Sequence, residues 1–319
     1  VSRSPQIGDQ AIERHAIGSR EQWLELRRGD VTASDIAAIC GLDRYRTALR
    51  VWAEKSGLVP PATDNPVLKR GRWLEAAVIE ALREERPQWD LRRAGVYLRD
   101  PAIRLGATPD AVATDPGRSG IGVVQCKTVR RDVFERDWTS SSSGDAVAPL
   151  PYQLQTLTEA LLVGAEWACV AALVIDAGGG IEFIEAPVHR HAAAEQRIRE
   201  AVIRFWEELE AGRQPRVDPA RDGKVVEALF PQSSPKQVVD LSYDLRLAQL
   251  VAKRARRKSL IKAAEAQIEA VETELKARLG DAEGATLPGW KVTWKTQRRE
   301  ERITSAWEGR VLRIVPVKA

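Results

Sequence analysis

Apolar positions in the first ninety residues recur at helical spacing, then give way to alternation. Ser19-Arg20-Glu21-Gln22 has the form of a capping box, and Trp23, Leu24 and Leu26 follow on a short helix. "GDVTASDIAAICG" reads as a turn, a Thr/Ser helix start and a helix stopped by Gly41. "VLKRGRWLEAAVIEALREE" is a further helix, with Trp73, Val78 and Leu82 as its apolar side. A strand is expected over 91–98, around Val96 and Tyr97. Residues 111–114 and 122–129 should pair as a hairpin across the turn "DPGRSG". "DWTSSSSGDAVAPLP" is poor in apolar residues and reads as a mobile loop. "YQLQTLTEALLVG" is a helix closed by Gly164, and strands over 168–175 and 181–185 flank a glycine turn. Residues 191–211 form an amphipathic helix with Ile198, Val202, Phe205 and Leu209 on one face.

This order of elements predicts an α/β core, a mixed sheet flanked by helices. "GRQPRVDPARDG" is a Pro/Gly-rich boundary, so the core is assigned to 1–225 and an extension to 226–319. In the extension, Ile261, Ala264, Ile268, Val271 and Leu275 are spaced 3, 4, 3 and 4. That suits a short coiled-coil seam or a helical hairpin packed on itself. Beyond it, Trp290, Val292 and Trp294 alternate with Lys291, Thr293 and Lys295, the pattern of a half-buried strand with a basic outer face.

Charge adds an asymmetry to this division. The 319 residues carry a net +4, but residues 236–319 hold 18 basic and 11 acidic side chains, and the remainder is net −3. A basic extension on a slightly acidic body points to an acidic partner, nucleic acid first, contacted through Lys253, Arg254, Arg256 and Arg257. The alternative is a solvated basic face. The N-terminal "VSRSPQIGDQ" lacks the apolar stretch of a signal peptide, and the apolar run over 160–175 is broken by Gly164, Glu166 and Trp167, so no membrane span is expected. Cys40, Cys126 and Cys169 are scattered, which suits a reducing compartment and is too few for a four-cysteine metal or iron–sulfur site.

The hairpin brings chemistry-bearing residues together. Asp110 lies at the start of one strand, and Gln125 and Lys127 lie near the end of the next. Residues two apart on a strand share a face, so Gln125 and Lys127 project together while Cys126 faces the core, its carbonyl free to ligate a metal. Hard cations such as Mg2+ take oxygen ligands, and a lysine beside them can orient water or offset developing negative charge. Glu75 on the preceding helix can add a carboxylate.

Pro109-Asp110 followed by Gln125-Cys126-Lys127 resembles the signature of the PD-(D/E)XK nuclease superfamily. "WLELRRGDVTASDIAAICGL", "GRWLE" and "PYQLQTLTEALLVG" resemble, in order, further motifs of the phage lambda exonuclease/YqaJ-type viral recombinase family. The resemblance implies a restriction-endonuclease-like core with a C-terminal helical and small β appendage. It implies Asp110 as central metal ligand, Gln125 in the place of the second acidic ligand, and Cys126 ligating through its carbonyl. Lys127 would act on the water, Glu75 would stand in the outer shell or hold a second ion, and Gln153 would hydrogen-bond within the site. Arg27, Thr32 and Ser34 would bind a 5′ phosphate, for which a helix N-terminus and a guanidinium give an independent reason. Plainer roles stay open: Ser34 as a helix cap, Glu75 as a surface carboxylate, Gln153 as a capping group. The implied cofactor is Mg2+, with Mn2+ as substitute. The implied partners are double-stranded DNA ends, a single-strand annealing protein and further copies of the chain, in the cytoplasm of a bacterial host.

Gln125 departs from the pattern, because an amide brings no charge. Glutamine is isosteric with glutamate, so it suits a substitution made to trap DNA uncleaved. It also suits a naturally impaired site, or one where another carboxylate, Asp100 or Glu75, compensates. The functions consistent with the chain are an exonuclease resecting duplex DNA from a 5′ end to leave a 3′ strand, a structure-specific endonuclease of the same superfamily, and a non-catalytic DNA-binding or assembly protein.

Overall fold

The computed structural model of the protein describes residues 12–61 and 66–297. The chain enters through β1 (Glu13–Ala16) and α1 (Arg20–Gly29), capped by Ser19, whose side chain accepts from the Gln22 amide. β2 (Val31–Thr32) runs into a 3-10 turn (Ala33–Asp35) and α2 (Ile36–Ile39). α3 (Ala48–Lys55), which the sequence pattern did not reveal, and α4 (Pro66–Glu85) follow. Then come β3 (Asp90–Arg93), β4 (Val96–Asp100), β5 (Leu105–Ala107), β6 (Ala111–Thr114) and β7 (Ile121–Arg130). α5 (Arg131–Asp137), β8 (Thr139–Ser140) and β9 (Ala146–Val147) lead to α6 (Leu150–Val163), β10 (Trp167–Ile175) and β11 (Ile181–Val188). α7 (Ala192–Glu210) and α8 (Gly223–Leu229) close the first of two compact units, which divide at Leu229/Phe230.

The main sheet has the order β11-β10-β7-β6-β3. β7 and β10 are parallel and are joined through α6, while the other neighbours are antiparallel, so the sheet is mixed as the sequence predicts. Its two faces bury different cores. Val123, Val129, Val170 and Ala172 pack with Leu154, Leu157 and Ala160 of α6 and with α7. Val124, Cys126, Cys169 and Ala171 pack with Val78, Ile79 and Leu82 of α4. The period-two alternation along β7 therefore assigns Gln125 and Lys127 to the α6 face and Cys126 to the α4 face.

Several expectations are corrected. The strand expected over 91–98 is two strands of two different sheets. Gly95, at φ 60°, turns the chain, so β3 pairs with β6 while β4 joins a four-stranded sheet of order β1-β4-β5-β2. The loop after Asp137 is not featureless: Trp138 and Ala148 are buried at its ends, and β8 and β9 pair between them. Trp73 is exposed rather than on the packed side of its helix, where Val78, Ile79 and Leu82 take the core. On α7, Trp206 is buried beside Phe205, and Leu209 is only half-buried.

The second unit holds α9 (Leu245–Leu279), a single helix of 35 residues capped by Asp244, and a hairpin of β12 (Gly284–Leu287) and β13 (Trp290–Thr293). A helix of that length spans about 50 Å. The helical hairpin considered from sequence is absent over this stretch, since the chain does not turn back before Gly280. Ile261, Ala264, Ile268 and Val271 of the seam are exposed and Leu275 is half-buried, while Trp290 and Trp294 are exposed and Val292 is half-buried.

α6 carries the site described below, and it ends on Gly164 at φ 74°, where an added Cβ would meet open space. Gly164→Ala should therefore cost only the left-handed backbone penalty, about 1 kcal/mol. The check is urea unfolding, with a lower midpoint and an unchanged slope.

Candidate active site

The pairing of β6 with β7 stops at Ala111 opposite Val124, leaving the following β7 edge without a strand partner on that side. The carboxylate of Asp110 takes over: its Oδ2 accepts the Cys126 amide at 2.7 Å and also the Nε2 of Gln125. An N–H and C=O of one strand residue point to the same edge, so the Cys126 carbonyl faces this side as well. Lys127, half-buried, donates to Gln155 Oε1 at 3.1 Å, with its Nζ 5.0 Å from the Tyr152 ring centroid. Asp110, Gln125, Cys126 and Lys127 thus meet at one strand end.

Glu75 lies on α4, against the other face of the sheet, and is held by Arg93 at 2.9 Å. It still raises the affinity of Asp110 for a proton. Withdrawal from water is the main cause, with Lys127 opposing, and together these push the Asp110 carboxyl up to about 6.

Gln153 and Gln155 are two apart on a helix, about 200° around its axis. Gln153, expected within the site, donates instead to the Ala148 carbonyl at 2.7 Å and closes the preceding loop. Gln155 is the glutamine that reaches Lys127. It also donates to Glu159 Oε1 at 3.0 Å, one helical turn further on. Glu159 is fully buried, and burial, with Asp110 nearby, pushes its carboxyl well above the usual carboxylate range. The sequence offered a signal for it: one glutamate inside the apolar run "LTEALLV". Asp100, considered as a compensating carboxylate, is elsewhere, paired with Arg199 at 3.0 Å and capping the Ala102 amide.

The donor set fits a hard cation. Gln125 Oε1 and Glu159 Oε2 are buried acceptors without a hydrogen-bond partner, and such atoms call for an ion or water. Among the described residues no group of three or more His, Cys, Asp and Glu side chains forms a closed metal cage. A set of one or two carboxylates, an amide oxygen and a strand carbonyl suits Mg2+, which keeps several of its waters.

A second cluster adjoins the first through α6, which packs on both β7 and the 3-10 turn. Arg27 Nη2 contacts Ser34 Oγ at 3.0 Å and Thr32 Oγ1 at 3.3 Å, and its guanidinium lies 4.5 Å from the Trp23 ring centroid. Trp23 Nε1 in turn donates to Thr108 Oγ1 at 2.9 Å, two residues before Asp110. Asp35 anchors this cluster, accepting from Thr32 and pairing with Arg46 and Lys55, which hold its carboxyl well below the usual range. The helix expected after Thr32 is a single 3-10 turn and four α-helical residues. Its dipole is correspondingly short, and Arg27 with the two hydroxyls is what remains for an anion. Among the described residues Arg27 forms no ion pair with a carboxylate. Lys253, Arg254, Arg256 and Arg257 lie on α9 in the second unit, Arg254 half-buried and the others exposed.

The chain is similar to several known proteins. The chain is 24% identical over 297 residues to the uncharacterized protein YqaJ of Bacillus subtilis, covering 90% of this chain and 86% of that one. An alkaline exonuclease of Laribacter hongkongensis, LHK-Exo, superposes with a TM-score of 0.48 at 21% identity, over 60% of this chain and 93% of that one. A putative exonuclease of Eubacterium rectale gives a TM-score of 0.42 at 10% identity, over 71% and 97%. The model of the YqaJ-like viral recombinase domain matches residues 22–166, the stretch that runs from α1 to the end of α6 and contains both clusters.

Proposed function

We propose that the protein is a Mg2+-dependent DNA exonuclease that resects duplex DNA from a 5′ end and leaves a 3′ strand for annealing. The observation that carries this reading is the meeting of Asp110, Gln125, the Cys126 carbonyl and Lys127 where the β6–β7 pairing ends. Asp110 and its neighbours would hold the cation, whose chemistry is to polarise the phosphate and acidify a bound water. Lys127, fixed between Gln155 and the Tyr152 ring, orients the attacking water and offsets charge on the phosphate. The water oxygen bonds to phosphorus as the phosphodiester P–O bond breaks, and the leaving oxygen takes up a proton.

Arg27, Thr32 and Ser34 receive the terminal 5′ phosphate, with Trp23 tying that pocket to the loop before Asp110. Lys253, Arg254, Arg256 and Arg257 hold the DNA backbone through salt-sensitive contacts. The seam of Ile261, Ile268 and Val271 offers a surface to a second copy of this chain, and an annealing protein is the further partner. No described helix is long and apolar enough to cross a membrane, and the cytoplasm of a bacterial host is the compartment proposed. Gln125 favours a second reading, a DNA-binding protein with a degenerate site.

End-labelled duplex with 5′-phosphate, 5′-hydroxyl or blocked ends separates these readings. The exonuclease reading expects nucleotide release from 5′-phosphorylated ends with Mg2+ and none with a chelator. Lys127→Ala should lower the rate about 10²–10³-fold. Binding without cleavage in the chain as it stands, with cleavage appearing in Gln125→Glu, would assign an impaired site; no cleavage in either form would assign the non-catalytic one. Arg27→Ala should abolish the preference for 5′-phosphate over 5′-hydroxyl ends, and an unchanged preference would place phosphate recognition elsewhere.

The raised Asp110 pKa fixes a pH dependence with a definite sign. The folded, metal-free protein binds this proton more tightly than the unfolded chain, so the stability it confers is full below about pH 4 and is lost as pH rises through about 6. Asp110→Asn should therefore stabilise the metal-free protein at pH 8, by up to about 3 kcal/mol, and give little or no gain at pH 4. Thermal unfolding at the two pH values checks this. In the wild type, activity should fall as pH drops through about 6, because the proton competes with the cation.

A further inference from the structure

Glu159 is given no step in the reaction proposed above, yet it is a buried carboxylate with an oxygen left unpartnered. It is 1% exposed, in the middle of the crossover helix α6. Its Oε1 accepts from Gln155 Nε2 at 3.0 Å, and Gln155 Oε1 accepts from Lys127 Nζ at 3.1 Å. Its Oε2 is buried with no hydrogen-bond partner, and it forms no ion pair among the described residues. On β7, against which α6 packs, Gln125 is 2% exposed and its Oε1 is likewise buried without a partner. Each orphaned acceptor is costly to leave buried, and an unpaired buried carboxylate costs more.

Two orphaned oxygens on adjoining elements call for a shared partner. In the metal-free protein a retained proton quiets Glu159; a divalent cation replaces that proton and takes oxygens from both elements. The other carboxylates considered for this role do not compete. Glu75 belongs to the helix on the opposite face of the sheet and is paired with Arg93, and Asp100 is paired with Arg199. Glu159 stands instead on the face that carries Gln125 and Lys127. It is also one helical turn from Gln155, so the same helix face orients both the lysine and the carboxylate.

We propose that Glu159 supplies the carboxylate that position 125 lacks, acting from helix α6 as the second acidic group of the cation site built on Asp110. The inference rests on the metal-dependent reading given above. It makes Gln125 part of a working site: the negative charge has moved from strand to helix, and the amide remains to fix Asp110 and offer a neutral oxygen.

The test is Mn2+ titrated calorimetrically into the full, DNA-free chain, with thermal unfolding with and without Mn2+. Glu159→Gln should lower Mn2+ affinity at least about tenfold, since even the outer partners of metal ligands cost 10–100-fold. It should also raise the unfolding temperature of the metal-free protein and abolish the rise that Mn2+ produces. The double variant Gln125→Glu/Glu159→Gln returns the carboxylate to the strand and should recover most of the affinity; it also decides the matter if the single variant does not fold. Wild-type affinity in Glu159→Gln overturns the proposal, as does a folded double variant that does not recover binding. If the wild type binds Mn2+ and cleaves DNA while Glu159→Gln is unchanged in affinity, the inference fails alone. If the wild type binds no Mn2+, the metal-dependent reading fails with it.

Discussion

One backbone amide organises the site. Where β6 stops pairing with β7, the Cys126 N–H would be left on a partly buried edge, and such groups must be satisfied. Asp110 satisfies it at 2.7 Å and takes the Gln125 amide on the same oxygen. This places a carboxylate beside the Cys126 carbonyl and beside the side chains that alternate out of β7. The end of a hairpin therefore becomes a collection of oxygens, a consequence of strand length as much as of residue identity. Shortening or lengthening β6 by one residue would move Asp110 to the wrong face.

The second constraint is electrostatic. Asp110 and Glu159 both hold their protons more tightly than free carboxylates because both are withdrawn from water near one another. Lys127 reaches Glu159 only through Gln155, and Arg27 is committed to two hydroxyls. Once these protons leave, the site carries negative charge that its own side chains do not fully neutralise, which is the condition a cation would answer. Around the Arg27 pocket the balance is reversed. Asp35 pairs with Arg46 and Lys55, and Arg27, though it feels Asp35, forms no carboxylate ion pair among the described residues. The candidate cation site and the Arg27 cluster both border a single helix, α6, which packs on β7 and on the 3-10 turn, with Trp23 and Thr108 closing the link from the other side.

Much of this was legible in the sequence, for identifiable reasons. The β6–β7 hairpin follows from alternation bounded by "DPGRSG", and the mixed sheet follows from the order of elements. The break at Gly95 was not legible, because apolar residues continue on both sides of it and the chain changes sheet without losing its strand pattern. Gln153 and Gln155 could not be told apart without knowing which helix face meets the sheet. Glu159 had one sequence signal, its place inside an apolar run, but a lone glutamate in a helix also reads as a solvent position, and the packing of α6 on β7 decides between the two. The exposed seam of α9 shows the converse, a heptad pattern that is present while its partner is not among the described residues.

The measurement closest to the central claim is the anomalous difference density of wild-type crystals soaked in Mn2+. One principal peak is expected at the β6–β7 strand end, within bonding distance of Asp110 and the Cys126 carbonyl and bordered by Gln125 and Glu159. A principal peak elsewhere in the molecule, or no peak at metal concentrations that support cleavage, would contradict it.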